Sequence, residues 1–409
     1  MTPLPFVVTR MGAVLVSAVL VLAAASVSGA RPLPLASGSE PLCAAGEGLR
    51  SELRELVGEH RIAGAAVLVT EERVVTGKGR DGSERDCGRW SASAGTADLG
   101  TGRPMNITDR FRAGSVTKTF TATVVLQLAA ERRLSLDAPV DRYLPGLIRT
   151  GSYEGRRITV RQLLQHTSGL PDYLEAPEWQ YPERQRYRHF ESDQLVARAL
   201  ELPPPDAAWH YATTNYIIAG MIIRAVTGHT PEAEITRRVL RPLGLQDTYW
   251  PGDRTRIQGP HSRSYFTDYG RRSDGTEWNT TFAGVGGALV STLADLGRFA
   301  TALVGGRLLP PAQLAAMRQT VTADPDRLWP GARYGLGLVS TPLRCGGRWW
   351  GHAGTVPGGH RAFTAVGPGG RAVAVVLTEV PATLEADQAF LDVVQSAFCT
   401  RPLTRRTHP

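Results

Sequence analysis

Apolar and polar residues follow two rhythms along this chain, and the places where the rhythm changes divide it. Leu49 to His60 repeats its apolar positions at helical spacing. Ala65 to Thr70 and Ser91 to Thr96 read as strands, parted by the polar, turn-rich stretch Thr76 to Arg89. An apolar helix opens at Ser115 and is predicted to run to Arg132. The middle of the chain keeps the helical rhythm. Val160 to His166 closes on Thr167-Ser168-Gly169, and Asn215 to Val226 ends at Gly228. Pro231 to Leu240, Leu293 to Val304 and Pro311 to Arg318 follow the same pattern. From Tyr334 the strand rhythm returns in Trp349-Trp350, in Arg361 to Val366, and in Arg371 to Glu379 after the turn Gly367-Pro368-Gly369-Gly370. Ala386 to Phe398 closes the chain as a helix.

Strand-bearing pieces at both ends of a helical block predict an α+β fold. Its antiparallel sheet, flanked by helices, is drawn from both termini, and an all-helical domain is inserted. The expected boundaries are 48–133 with 284–399 for the sheet domain, 134–283 for the helical domain and 400–409 for a tail.

The first residues follow another logic. Arg10, the apolar run Met11 to Ala25 and the small residues Ser28-Gly29-Ala30 read as a secretory signal over 1–30, followed by a Pro/Ser/Gly-rich leader over 31–47. The run is short for a spanning helix, so cleavage, an extracellular location and no lasting membrane anchor are expected. Cys43 lies too far beyond the run to carry a lipid. Four cysteines in an exported chain suggest two disulfides. Cys43 with Cys87 and Cys345 with Cys399 is the simplest of the three pairings. No cysteines or histidines stand at short ligand spacing, so neither a metal nor a cofactor is expected. The 46 basic residues exceed the 38 acidic ones by +8, but they are scattered and not interleaved with aromatics. A nucleic-acid partner is therefore not expected.

Among those basic residues only two are lysines, Lys78 and Lys118. Where a lysine persists in so arginine-rich a chain, its ability to lose a proton becomes a candidate reason. Ser115 and Lys118 are three apart at the start of a helix, which stacks them on one face beside free N–H groups. A serine hydroxyl becomes a good nucleophile only when such a base removes its proton. A second element is Tyr211-Ala212-Thr213, where a phenol can relay a proton and, in an extended turn, Thr213 faces the same cleft. A third is Gly351-His352-Ala353-Gly354-Thr355, a glycine-bearing strand along which a substrate can pair and whose N–H can serve an oxyanion. Taken singly, each is as readily a capping serine, a packing tyrosine or a glycine bulge.

In this order the three resemble the penicillin-binding-protein and serine β-lactamase superfamily, and within it the secreted D-alanyl-D-alanine carboxypeptidases and class C-like β-lactamases. The resemblance runs from Val57 to Phe398. It takes in Phe111 to Lys118, Leu163-Leu164-Gln165-His166-Thr167-Ser168-Gly169-Leu170, Tyr334-Gly335-Leu336-Gly337 and Gly351 to Gly358. It implies that Ser115 forms an acyl-enzyme, that Lys118 deprotonates it and that Tyr211 shares the proton transfer. The N–H groups of Ser115 and Thr355 would bind the oxyanion, and His352 takes a position that is lysine or histidine in the family. The contexts of Cys345 and Cys399 also resemble the disulfide of a secreted carboxypeptidase of this group.

Two positions depart from the pattern. Thr213 stands where asparagine is usual, and Ala353 where a hydroxyl residue is common. In carboxypeptidase-like members that hydroxyl, often with a basic residue after the Tyr-Gly-Leu-Gly turn, holds the substrate carboxylate. Here the turn leads into Leu338-Val339-Ser340, leaving His360 or Arg361 as candidates. The expectation is a secreted serine hydrolase, foremost a D-alanyl-D-alanine carboxypeptidase acting on peptidoglycan-derived peptides. An esterase or β-lactamase on a small ester or β-lactam is the alternative, and a non-catalytic binding protein the remote one. His166 reads as a structural corner, and Trp278 and Trp349 as cleft walls or core.

Overall fold

The computed structural model describes residues 42–71, 76–78, 84–86, 89–268 and 271–399. Among them the strands predicted at the two ends of the chain join in one antiparallel sheet. We number its strands β1 (Gly64–Thr70), β2 (Arg89–Asp98), β3 (Arg103–Pro104), β4 (Val321–Thr322), β5 (Arg333–Tyr334), β6 (Val339–Pro342), β7 (Arg348–Thr355), β8 (Arg361–Val366) and β9 (Ala372–Leu377). Their order across the sheet is β4-β5-β6-β7-β8-β9-β1-β2-β3. The seam between the two ends of the chain is the β1–β9 pair, in which Val67 faces Val375 and Ala65 faces Leu377.

Alternation along these strands feeds two cores, because successive side chains point to opposite faces. Ala66 and Leu68 of β1, with Ala374 and Val376 of β9, join the cluster that contains Phe120, Leu296 and Phe299. Val67 and Val69, with Val373, Val375 and Leu377, join Leu49, Leu53, Leu56, Phe390 and Val394 instead. The second face is covered by helices α1 (Leu42–Gly58) and α7 (Leu384–Cys399). The first is covered by α2 (Thr117–Ala130) and α6 (Leu293–Val304), whose Phe120 and Phe299 rings stack at 3.6 Å. Between α2 and α6 in the chain lie α3 (Val160–Gln165), α4 (Ser192–Leu200) and α5 (Thr214–Thr227). Their Leu163, Val196 and Ile218 extend the same core.

Three details differ from the sequence reading. Helix α1 begins at Leu42, so part of the stretch read as leader is helical; Ala44 and Ala45 favour that extension. The polar stretch Thr76 to Arg89 carries a short hairpin, Thr76–Lys78 against Glu84–Asp86. Pro231 to Leu240 is not one regular helix but Pro231–Ile235 followed by a wider π turn, Thr236–Leu240. The Cys345–Cys399 disulfide forms, with Cα atoms 5.5 Å apart, and ties the β6–β7 turn to the end of α7. The Cys43–Cys87 pairing, the signal over 1–30 and the tail over 400–409 lie outside the described residues. No described helix is long and apolar enough to cross a membrane.

Candidate active site

The chain reaches Ser115 from a short strand, Phe111–Arg112, paired with Val290–Ser291. It turns at Gly114, whose φ of +54° lies in the region glycine tolerates. Gly114–Val116 is a 3₁₀ turn that runs directly into α2, so Ser115 stands at a helix N-terminus and Lys118 within its first turn. Lys118 is 1% exposed. Its Nζ donates to Ser115 Oγ at 3.0 Å and to the carbonyl of Gly286 at 2.8 Å. Burial drags the lysine down to about 7, against a smaller opposing pull from Asp172. A neutral amine can accept the Ser115 proton across that same contact, which is the chemistry of an activated nucleophile. Ser115 itself remains partly exposed.

Tyr211 closes the other side. Burial pushes its phenol's ionisation well up, against a smaller lowering from the nearby Ser115 side chain, so the phenol is neutral. Its ring centroid lies 5.0 Å from Lys118 Nζ. Two buried groups hold the segment around it. Asp172 accepts the Thr213 N–H at 3.0 Å through one oxygen and the Leu174 N–H at 3.2 Å through the other. His166 accepts the Ala212 N–H at 3.1 Å.

Thr213 corrects the sequence reading. It is not part of an extended turn, for at φ −66° and ψ −28° it is already helical. Its carbonyl accepts from the N–H groups of Tyr216 and Ile217 at 2.9 and 3.1 Å. The start of α5 therefore sets its direction and aims its methyl at Gly286, where an added Cβ would lie 2.9 Å from Thr213 Cγ2.

Strand β7 forms the third wall. A Cβ on Gly114 would lie 2.7 Å from the Thr355 nitrogen, and one on Gly354 would lie 2.0 Å from the Ala113 oxygen and 2.8 Å from the Ser115 nitrogen. Two bare Cα atoms thus let the strand and the serine turn meet backbone to backbone, with both amides at the contact. Gly354→Ala is expected to force them apart, lowering kcat/KM by about a hundredfold and stability by about 1–3 kcal/mol. Steady-state kinetics beside chemical denaturation checks this; unchanged kinetics would remove the contact from the reacting site.

His352 lies inside the protein, not open to the cleft. Nδ1 meets the Ala353 carbonyl at 2.5 Å, so it carries the proton, and Nε2 accepts from the Tyr334 hydroxyl at 2.9 Å. Burial holds the ring neutral by lowering it to about 3. It supplies the site with shape and no charge. Of the two carboxylate-binding candidates, His360 is buried elsewhere, between the Arg112 N–H and Ser262. Arg361 reaches Thr355 Oγ1 at 3.4 Å while pairing with Asp387 at 2.7 Å. Trp278 and Trp349 are core residues.

Two contributors escaped the sequence reading. Gly286 acts through a carbonyl, which no side chain announces, although the run Gly284-Val285-Gly286-Gly287 marks a close approach. Asp172 follows the Ser168-Gly169 corner and is 6% exposed. Among the described residues no cluster of histidine, cysteine, aspartate and glutamate is arranged to hold a metal.

Positions 49–395 match the Beta-lactamase family. Penicillin-binding protein 4 of Amycolatopsis lactamdurans is 30% identical over 342 residues, 78% of this chain and 81% of that protein. Esterase EstB of Burkholderia gladioli is 31% identical over 200 residues, 46% of this chain and 47% of the esterase. The crystal structure of a D-stereospecific amidohydrolase from Streptomyces sp. aligns with a TM-score of 0.75 at 34% identity, covering 87% of this chain and 99% of that one.

Proposed function

The chain belongs to the Beta-lactamase family and is a serine hydrolase, and from that premise we propose that it cleaves amide bonds beside D-amino acid residues through an acyl-Ser115 intermediate. The observation that carries the reading is the Lys118–Ser115 contact of 3.0 Å, with the lysine brought to about 7. Ser115 Oγ attacks the substrate carbonyl as its proton passes to Lys118 Nζ. The oxyanion rests on the N–H groups of Ser115 and Thr355, a device in which one donor is worth about 10²–10³ in kcat. Collapse expels the amine, which takes its proton by way of Tyr211 from Lys118. Water then attacks the ester and restores Ser115. The likeness to the D-stereospecific amidohydrolase supports the D-amide specificity.

A narrower second reading is D-alanyl-D-alanine carboxypeptidase activity on peptidoglycan peptides. The likeness to penicillin-binding protein 4 favours it, as does the reach of Arg361 to Thr355. Against it, Arg361 is already neutralised by Asp387, and an exposed substrate carboxylate would have to compete for it. The Cys345–Cys399 disulfide, together with the N-terminal apolar run, supports work outside the reducing cytoplasm.

The test is a substrate panel on the purified protein: D- and L-phenylalanine amide, acyl-D-Ala-D-Ala, a p-nitrophenyl ester and benzylpenicillin. Hydrolysis of the D-amide and not of the L-amide is the expected result. Release of D-alanine with the amides untouched would replace it by the carboxypeptidase reading. Turnover of the ester or penicillin alone would assign an esterase or β-lactamase, and inertness to all would return the chain to a binding role.

A further inference from the structure

His166 ends α3 in the left-handed region, at φ 63° and ψ 32°. Glycine or asparagine takes this conformation with little strain, whereas histidine there stores a cost that other contacts must offset. The offset lies in its side chain. The imidazole is 1% exposed. Its Nδ1 faces the Ala212 N–H at 3.1 Å and the Asn215 amide at 3.2 Å. A nitrogen that accepts a backbone N–H is unprotonated, so the proton of the neutral ring sits on Nε2. Nε2 has no hydrogen-bond partner among the described residues. The ring is therefore oriented by Nδ1 and by its face, which stacks on Tyr211 with centroids 4.3 Å apart and planes at 28°. The His166 carbonyl also accepts the His210 N–H at 2.9 Å. One residue grips the segment 210–212 at three points, and Tyr211 is its middle.

We infer that His166 is a positioning residue for the Tyr211 phenol, fixing its place against Ser115 through the Nδ1–Ala212 hydrogen bond and the ring stack. The inference rests on the proposed role of Tyr211 in proton transfer. The ring also meets Tyr334 and Tyr216, with centroids 4.8 and 5.4 Å away, but the segment that it grips is the one that carries Tyr211. A phenol displaced by a fraction of an ångström transfers its proton less well while the substrate still binds, so kcat falls and KM holds.

The two contacts can be separated. H166F keeps a ring against Tyr211 and loses the acceptor. H166N loses the ring, but its Oδ1 stands near the place of Nδ1, and asparagine suits the left-handed backbone. With kcat expressed per folded molecule, H166F is expected to lower kcat about tenfold to a hundredfold with KM nearly unchanged, and H166N to recover most of the loss. In a double-mutant cycle with Y211F, adding H166F is expected to cost less than about twofold, because the two act as one unit. If H166F does not fold, H166M removes the acceptor while filling the space and takes its place in the cycle. Wild-type kcat in H166F or H166M overturns the inference, as does a full additional loss in the Y211F background. Wild-type kcat in Y211F itself removes the proposed role of Tyr211 and this inference with it, whereas a loss in Y211F beside no loss in H166F removes this inference alone.

Discussion

Ser115→Ala is expected to abolish covalent labelling by benzylpenicillin and to lower turnover of any substrate by about 10⁴–10⁶-fold. The residue is partly exposed, and only one oxygen is lost. Lys118 keeps its second partner, the Gly286 carbonyl. Stability should therefore stay within about 1 kcal/mol of the wild type. Intact-protein mass spectrometry after brief exposure to the drug reads the first effect, and thermal unfolding the second. An adduct that persists on the variant would place the nucleophile elsewhere. A wild type without adduct that nevertheless consumes the drug would mean fast deacylation.

Lys118→Arg should be nearly as damaging, with a loss of about 10³–10⁴-fold. The guanidinium holds its proton at every working pH and cannot accept that of Ser115. The wild-type lysine titrates near 7, because burial disfavours its charge. Below that pH it is an ammonium and no base, so kcat/KM should rise with pH through about 7 and then level. In Lys118→Arg this rise should vanish along with the rate. A variant that kept both would show that another group takes the proton. The same shift bears on stability. An unfolded lysine ionises near 10.4, so between about 7 and 10 the unfolded chain binds the extra proton and this residue's contribution to stability climbs with pH. Below about 7 the folded site carries the buried charge at full cost.

Legibility in the sequence divides along a physical line. Elements defined by their own periodicity were readable, for Leu293–Val304 and Arg361–Val366 form with the expected bounds. The contact between Ser115 and Lys118 was readable because their relation is local, three residues on one helix face. Relations made across the fold were not. The Gly286 carbonyl meets Lys118 from 168 residues away, and main-chain atoms leave no trace in residue type. The Ala212 N–H finds His166 across 46 residues, and the left-handed turn that permits it is unusual for histidine. Thr213 was misjudged because the first residue of a helix and the last of a loop look alike in sequence. His352 was placed on the right strand, but which way its nitrogens are satisfied depends on Tyr334, which only the folded sheet brings to it.

The seam of the sheet has a consequence for how the molecule comes into being. The Gly64 carbonyl accepts from Thr378 Oγ1, 314 residues further on. During synthesis β1 emerges early and can pair with β2 along one edge, while its other edge waits for β9. The helical middle, rich in near-neighbour contacts, can organise first, while the sheet closes late and pays a long loop-closure entropy. A nascent chain of this topology spends its longest unfinished interval with one edge of β1 open, an edge on which another chain can pair until residues 372–377 arrive.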